Sequence, residues 1–186
     1  FNRVTVDGEM STNDSVFFLA SGASGIRPDE EALAEIGAAL DSMLLRIALM
    51  MVADGEGATK VMRLSVEGAD TNGNAEKVAR TIADSLLVKT AMHGGDPNWG
   101  RIASSAGAAL ENQSLPEVVL ELCGIMVMQQ GVACPLSSQH EVELASSMQS
   151  SEIDIKLSLG LGQTSAEVFF ADIGHDYVTI NADYHN

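Results

Sequence analysis

The sequence predicts an α/β fold, and three observations carry the prediction. Apolar residues recur at helical spacing over 33–51 and again over 75–86. Strict alternation marks strands, most cleanly in Glu152-Ile153-Asp154-Ile155-Lys156-Leu157-Ser158-Leu159. Between these stretches stand clusters of Gly, Asn, Asp and Ser, the residues that favour turns. Helical and strand patterns interleave up to Glu111–Pro116 and turn β-rich beyond. The expected organisation is therefore a two-layer α/β sandwich over 1–113 and a smaller C-terminal α+β domain over 114–186.

Taken in order, Phe1 to Val6 is β-prone, with Val4 and Val6 on one face. Asp7 to Asp14 is a polar loop whose side chains either satisfy their own backbone or line a site. Ser15 to Ala20 reads as a short buried strand, so the first two strands suggest a hairpin. Pro28-Asp29-Glu30-Glu31 opens a long helix, with proline and acids where a first turn favours them. Leu33, Ile36, Leu40, Met43, Leu44, Ile47 and Met51 form its expected buried stripe. A strand follows from Thr59 to Glu67, with Met62, Leu64 and Val66 inward. Asn74 is placed to cap a second helix with Ala75, Val78, Ala79, Ile82 and Leu86 on one face. Met92 to Ala109 then changes character halfway. Paired glycines and Asp96-Pro97 are turn chemistry, and Asn98 is the N-cap expected for a helix of small residues. That corner reads as structural, with Trp99 as a core plug, or as a helix N-terminus presenting amides to a ligand. Farther on, strands are expected over Glu117–Cys123, Gly124–Met128, Glu152–Leu159 and Thr164–Phe170, with a short helix over His140–Ser147 and a polar tail from Asp172.

At 186 residues the chain suits one domain, or one domain plus a small companion. Such a chain buries roughly 70% of its unfolded surface and needs no disulfide or metal staple. Aromatics make up only 4% of it, so alanine and nine methionines must fill much of the interior. A net charge of −16 argues against nucleic-acid and anionic-membrane partners, which require clustered Lys and Arg. Cys123 and Cys134 lack metal-ligand spacing and read as buried free thiols of a reducing compartment, hence a cytoplasmic protein. No apolar run approaches the roughly 18 residues of a bilayer span, and no signal-peptide pattern is present. The chain opens at Phe1, directly in a strand-like run, as a piece of a longer polypeptide would. An organelle stays open, because any targeting segment would precede Phe1.

Familiar catalytic patterns are missing: no Gly-x-Ser-x-Gly, P-loop, His-Glu-x-x-His or Cys-x-x-Cys occurs. His93, His140, His175 and His185 are scattered, and no metal site is expected. His93 stands out only because it adjoins the glycine pair. Glu56, bracketed by Gly55 and Gly57 at a helix-to-strand junction, reads either as a ligand contact or as a solvated loop acid. Residue chemistry alone ends at an α/β domain with a polar site built from loops.

Four segments add a family resemblance. They are Asp7-Gly8-x-x-Ser11-Thr12-Asn13-Asp14, Asp54-Gly55-Glu56-Gly57-Ala58-Thr59-Lys60, Asp96-Pro97-Asn98-Trp99-Gly100-Arg101 and Asp176-Tyr177-Val178-x-Ile180-Asn181-Ala182-Asp183-Tyr184. In that order, across the whole chain, they resemble the C-terminal β-chain part of ornithine acetyltransferase (glutamate N-acetyltransferase) of arginine biosynthesis. The resemblance implies part of an αββα fold of the N-terminal-nucleophile type. It also implies acetyl transfer from N2-acetylornithine to glutamate without a cofactor, by a ping-pong route through an acyl-threonine. Autocatalytic cleavage before that threonine separates α and β chains, which assemble as a hetero-oligomer (a heterotetramer). The nucleophile lies upstream of Phe1, so this chain carries no catalytic residue of its own. Carried across by position, Glu56, Asn181 and Asn186 are the substrate-binding residues, and the tail returns to the active site. Asn186 stands where members usually have Thr or Ser. A relative that has lost catalysis and acts as a binding or assembly module is the alternative; an unrelated hydrolase built on Ser11 or His93 is the third.

Overall fold

A computed structural model describes residues 1–110, 114–115 and 117–184. In chain order its elements are β1 (Val4–Thr5), α1 (Glu30–Ala53), β2 (Val61–Ala69), α2 (Asn72–Ala83), α3 (Leu86–Gly94), α4 (Trp99–Ala109), β3 (Val119–Leu122), β4 (Ile125–Gln129), β5 (Val132–Ala133), α5 (Ser138–Ser147), β6 (Glu152–Ser158), β7 (Thr164–Ala171) and α6 (His175–Asp183). The mixed α/β class expected from the sequence is the one adopted: among the described residues, one seven-stranded sheet ordered β1-β7-β2-β6-β3-β4-β5.

The register explains the core. β2 pairs in parallel with β6 and antiparallel with β7, which sets Met62 beside Ile153 and Phe170, and Leu64 beside Ile155 and Val168. β3, antiparallel to β6, adds Leu120 beside Leu157 and Leu122 beside Ile155. Because side chains alternate across a strand, these rows share one face. Val78, Ala79 and Ile82 of α2 and Ile102 and Ala106 of α4 belong to the same buried cluster. Small residues on α4 let that helix lie close to α2, as its composition predicts. The opposite face is charged: Arg3 and Arg63 each pair with Glu167 at 2.7 Å, and Lys156 with Glu67 at 3.1 Å. α1 lies over the edge of that face, where Leu45, Leu49 and Met50 share a cleft of about 590 Å³ with Arg63, Glu167 and Phe169.

Caps set the helix starts. Asn98 accepts from the Arg101 amide, as the sequence indicates, and Asp29, expected inside the first turn of α1, is instead its N-cap and accepts from the Ala32 amide. Thr71, not Asn74, caps α2, because its hydroxyl accepts from the Asn74 amide at 3.1 Å. Ser85 begins a separate helix, α3, so Leu86 leaves the α2 stripe and is exposed.

Two expectations for the first 53 residues are corrected. Ser15–Ala20 forms no strand and no hairpin; Phe17 is 83% and Leu19 91% exposed. Of the α1 stripe, Leu33, Ile36, Met43, Ile47 and Met51 are exposed, and the residues α1 buries are Ala48 and Val52. Periodicity identifies an apolar face; it does not say whether this chain supplies the cover. α1 is also, by length and composition, long enough and apolar enough to cross a bilayer, which a search for an unbroken apolar run misses. As for the division at 113, strands from its two sides share one sheet, with β2 held between β6 and β7.

Candidate active site

The turn after α1 carries Glu56, and its two glycines have separate jobs. A Cβ on Gly55 would meet Val6 Cγ1 at 2.8 Å. Gly57 has φ +67°, the left-handed region, and a Cβ there would stand 2.7 Å from the Tyr177 amide nitrogen. The turn is therefore pressed against the first turn of α6. One helical turn along from Tyr177, Asn181 Nδ2 donates to Glu56 Oε2 at 2.5 Å and to the Tyr177 carbonyl at 3.0 Å. Tyr177 donates its hydroxyl to Asp7 Oδ2 at 3.0 Å, and burial together with that bond pushes its phenol above the ordinary range. Two acids, Asp7 and Glu56, thus meet the amide and phenol of α6 from three distant parts of the sequence. Glu56 and Asn181 are both exposed, which makes an open wall and not a closed pocket.

Beneath them lies Asp172, whose side chain has no exposed surface. Its Oδ1 accepts the Thr59 and Lys60 amides at 2.8 and 2.7 Å; its Oδ2 accepts the Thr59 hydroxyl at 2.6 Å and faces His93 Nδ1 at 2.7 Å. Burial alone would raise the pKa of this carboxyl. The bonds from the Thr59 hydroxyl, His93 and the two amides outweigh it and hold the group below the ordinary carboxylate value. An ionised carboxylate only accepts, so His93 carries its proton on Nδ1. Hydroxyl and imidazole sit in parallel on one oxygen, not in series, so Thr59 has no proton relay and is no activated nucleophile.

Two lysines complete the frame. Lys60 Nζ donates to the Met92 and Met148 carbonyls at 2.8 and 2.7 Å, joining the C-terminal ends of α3 and α5, where a cation is favoured. Lys89 is fully buried, and its Nζ ties Val6 O (2.5 Å) to Ala171 O (3.0 Å). Burial pulls its pKa down to about 8 against the opposing pull of Asp84, Asp7 and Asp172. Among the described residues no cluster of His, Cys, Asp and Glu could hold a metal ion.

The sequence matches the ArgJ family over residues 1–186, the whole chain. The chain belongs to the ArgJ family. It is 47% identical over 184 residues to the arginine biosynthesis bifunctional protein ArgJ of Nitratidesulfovibrio vulgaris, covering 99% of this chain and 46% of that protein. It is 41% identical over 191 residues to the glutamate N-acetyltransferase of Methanocaldococcus jannaschii, covering 99% of this chain and 47% of that one. The crystal structure of ArgJ from Bacillus halodurans superposes with a TM-score of 0.89 at 34% identity, covering 99% of this chain and 87% of the crystallised one. The chain therefore spans less than half the length of these two relatives.

Of the three binding residues expected for an ArgJ chain, the fold brings Glu56 and Asn181 into contact across 125 residues of sequence. Asn186 lies outside the described residues, as does His185. Trp99 is partly buried against the core, and the Asp96–Arg101 segment makes the corner expected of it, after Gly95 ends α3 at φ +66°. The loop after β1 mostly satisfies itself, as in Asp7 Oδ1 accepting the Glu9 amide at 2.9 Å, while its Asp7 reaches Tyr177. Cys123 and Cys134 are free thiols, half-buried rather than fully buried. No role for Asp172, Lys60 or Lys89 is expected from the sequence, and Asp7 stands out there only as one member of a polar loop. Lys89 had a signal, a lysine four residues after Ser85 on the face shared by Val88 and Met92; Asp172 had a weaker one, an acid directly after the apolar run Val168–Ala171.

Proposed function

We propose that this chain is part of an acyltransferase that moves an acetyl group from N2-acetylornithine to glutamate, and that Glu56 and Asn181 form one wall of its substrate pocket. The observation that carries the reading is the 2.5 Å contact between these two exposed residues, in a family whose relatives include a glutamate N-acetyltransferase. An exposed carboxylate beside a donor amide suits an amino acid. Glu56 accepts from the α-nitrogen, an amide N–H in N2-acetylornithine and an amine in ornithine and glutamate, and Asn181 holds the polar group next to it. The attacking hydroxyl belongs to a threonine of the longer protein, upstream of Phe1. It adds to the acetyl carbonyl, ornithine leaves as its amine takes a proton, and the acetyl group remains as a threonine ester. Glutamate then binds in ornithine's place, and its amine attacks that ester, releasing N-acetylglutamate and the free hydroxyl.

In this reading the protein is cytoplasmic and cleaves itself into α and β chains that assemble as a hetero-oligomer. The uncovered apolar face of α1 and the exposed Val16-Phe17-Phe18-Leu19 support such an assembly, since stable monomers rarely leave contiguous apolar surface in water. The decisive experiment is Glu56→Ala in the full-length protein, assayed for acetyl exchange between N2-acetylornithine and glutamate. Losing this contact to substrate should lower kcat/KM by about 100-fold with the fold intact. Unchanged turnover would overturn the pocket assignment. A full-length protein that assembles yet exchanges no acetyl group would instead be a binding or assembly module.

A further inference from the structure

α6 carries Tyr177 and Asn181 but buries none of its own residues, and its N-cap, Gly174, makes no side-chain capping bond. Hydrophobic packing therefore does not fix this helix; something else sets where it stands. At Gly174 the backbone is extended (φ −120°, ψ −165°), a conformation open to any residue. Space is what excludes a side chain, because a Cβ there would overlap the imidazole of His93. The ring is a spacer under the start of α6. It is itself held by Asp172, which also clamps Thr59 and Lys60, three and four residues beyond Glu56. A cavity of about 390 Å³, bordered by His93 itself with Thr90, Ile173, His175 and Val178, adjoins the ring and gives α6 room to settle if the ring goes.

We propose that His93 is a positioning residue: held by Asp172, its ring fixes α6 at the distance that brings Asn181 to Glu56. One carboxylate thus references three elements to each other, the Glu56 turn through Thr59 and Lys60, the end of α3 through His93, and the start of α6 through the adjoining chain. The effect of His93 on substrate use rests on the function proposed above; its effect on the placement of α6 does not.

The test uses the full-length protein with His93→Ala, Asn181→Ala, their combination, and Gly174→Ala. In acetyl exchange, His93→Ala should raise KM for both substrates by about tenfold, the scale set by a displacement of less than an ångström at a binding group, with kcat little changed. The double variant should be no worse than Asn181→Ala alone, because both changes remove the same contact. Additive losses would overturn the proposal. Hydrogen exchange supplies a readout independent of activity: amides of 175–183 should exchange faster in His93→Ala and in Gly174→Ala, while β2, β6 and β7 keep their rates. Unchanged exchange in α6 would also overturn it. Adding Gly174→Ala to His93→Ala should cost nothing further, since the methyl then has space. If His93→Ala fails to fold, Gly174→Ala, which perturbs the same contact from the exposed side, decides alone. Normal kinetics for Glu56→Ala would refute the substrate pocket and leave the exchange result standing. An impaired Glu56→Ala with an unimpaired His93→Ala would refute the positioning role alone.

Discussion

Around Asp172 the polar groups are inside and satisfied; along residues 10–51 most of the large apolar groups are outside. Each arrangement inverts the usual one, and for different reasons. At the junction a carboxylate takes two amides, a hydroxyl and an imidazole, and no buried side-chain nitrogen or oxygen among the described residues lacks a partner. Saturation is what makes burial of such a group tolerable. Along α1 and the segment before it, Phe17, Phe18, Ile36, Met43 and Met50 stand in water. Burying each would contribute roughly 1.5–3 kcal/mol, so together they form a face that gains strongly from a cover. The core from β2 onward is complete within this chain, and the face of α1 is not.

Removing the hub should produce the largest loss. Asp172→Ala strands two backbone amides and a hydroxyl inside the fold and frees His93, with an expected destabilisation on the order of 4 kcal/mol by chemical denaturation. A loss below about 1 kcal/mol would mean that water replaces the carboxylate, and the contrast between the two regions would weaken. The next test sets the regions side by side. Ile82→Ala, inside the α2 and sheet core, should cost about 3 kcal/mol, as large-to-small core changes do. Ile36→Ser, on the uncovered face of α1, should stay within about 0.5 kcal/mol in the 186-residue chain. In the full-length protein the same Ile36→Ser should become costly, and equal small effects in both would show that nothing packs there.

The two regions also differ in how much of them the sequence disclosed. Alternation in β2 and β6 was legible because one face of those strands packs on the core of this chain while the other is charged and exposed: Met62, Leu64 and Ile155 are buried as the pattern requires. The α1 stripe was equally legible as a pattern and failed as a burial prediction, since its cover is a tertiary or quaternary matter. Ser15–Ala20 failed likewise, its apolar residues having no strand beside them. In the candidate site, Glu56 was visible through its glycines, and Asn181 only through resemblance to a family. Asp172 and Lys60 were invisible to periodicity, because their partners are backbone groups and, for Asp172, the Thr59 and His93 side chains, all brought close by folding. His93 was noticed for its position beside two glycines, while the glycine that matters to its ring, Gly174, lies 81 residues farther along.

The last effect, smaller than the loss of Asp172 or of the Ile82 side chain, isolates burial of charge from the loss of hydrogen bonds. Lys89 in the fold has a pKa of about 8, below the 10.5 of an unconstrained lysine, because burial disfavours its charged form. Below pH 8 both folded and unfolded chains hold the proton, and the group adds no pH dependence. Between about 8 and 10.5 the unfolded chain binds more protons than the folded one, so stability rises with pH through that window. Tyr177 opposes it only higher up: a phenol raised above 10 stabilises fully below the unfolded value and loses that contribution as pH climbs through the folded one. From pH 8 to 10 the lysine should therefore dominate, adding on the order of 2 kcal/mol to the stability read from denaturation midpoints. Lys89→Met fills similar space without a proton to lose, so its stability should be offset from the parent and should not rise with pH. An equal rise in both proteins would place the titration elsewhere and leave Lys89 as a brace between Val6 and Ala171, charged across the whole range.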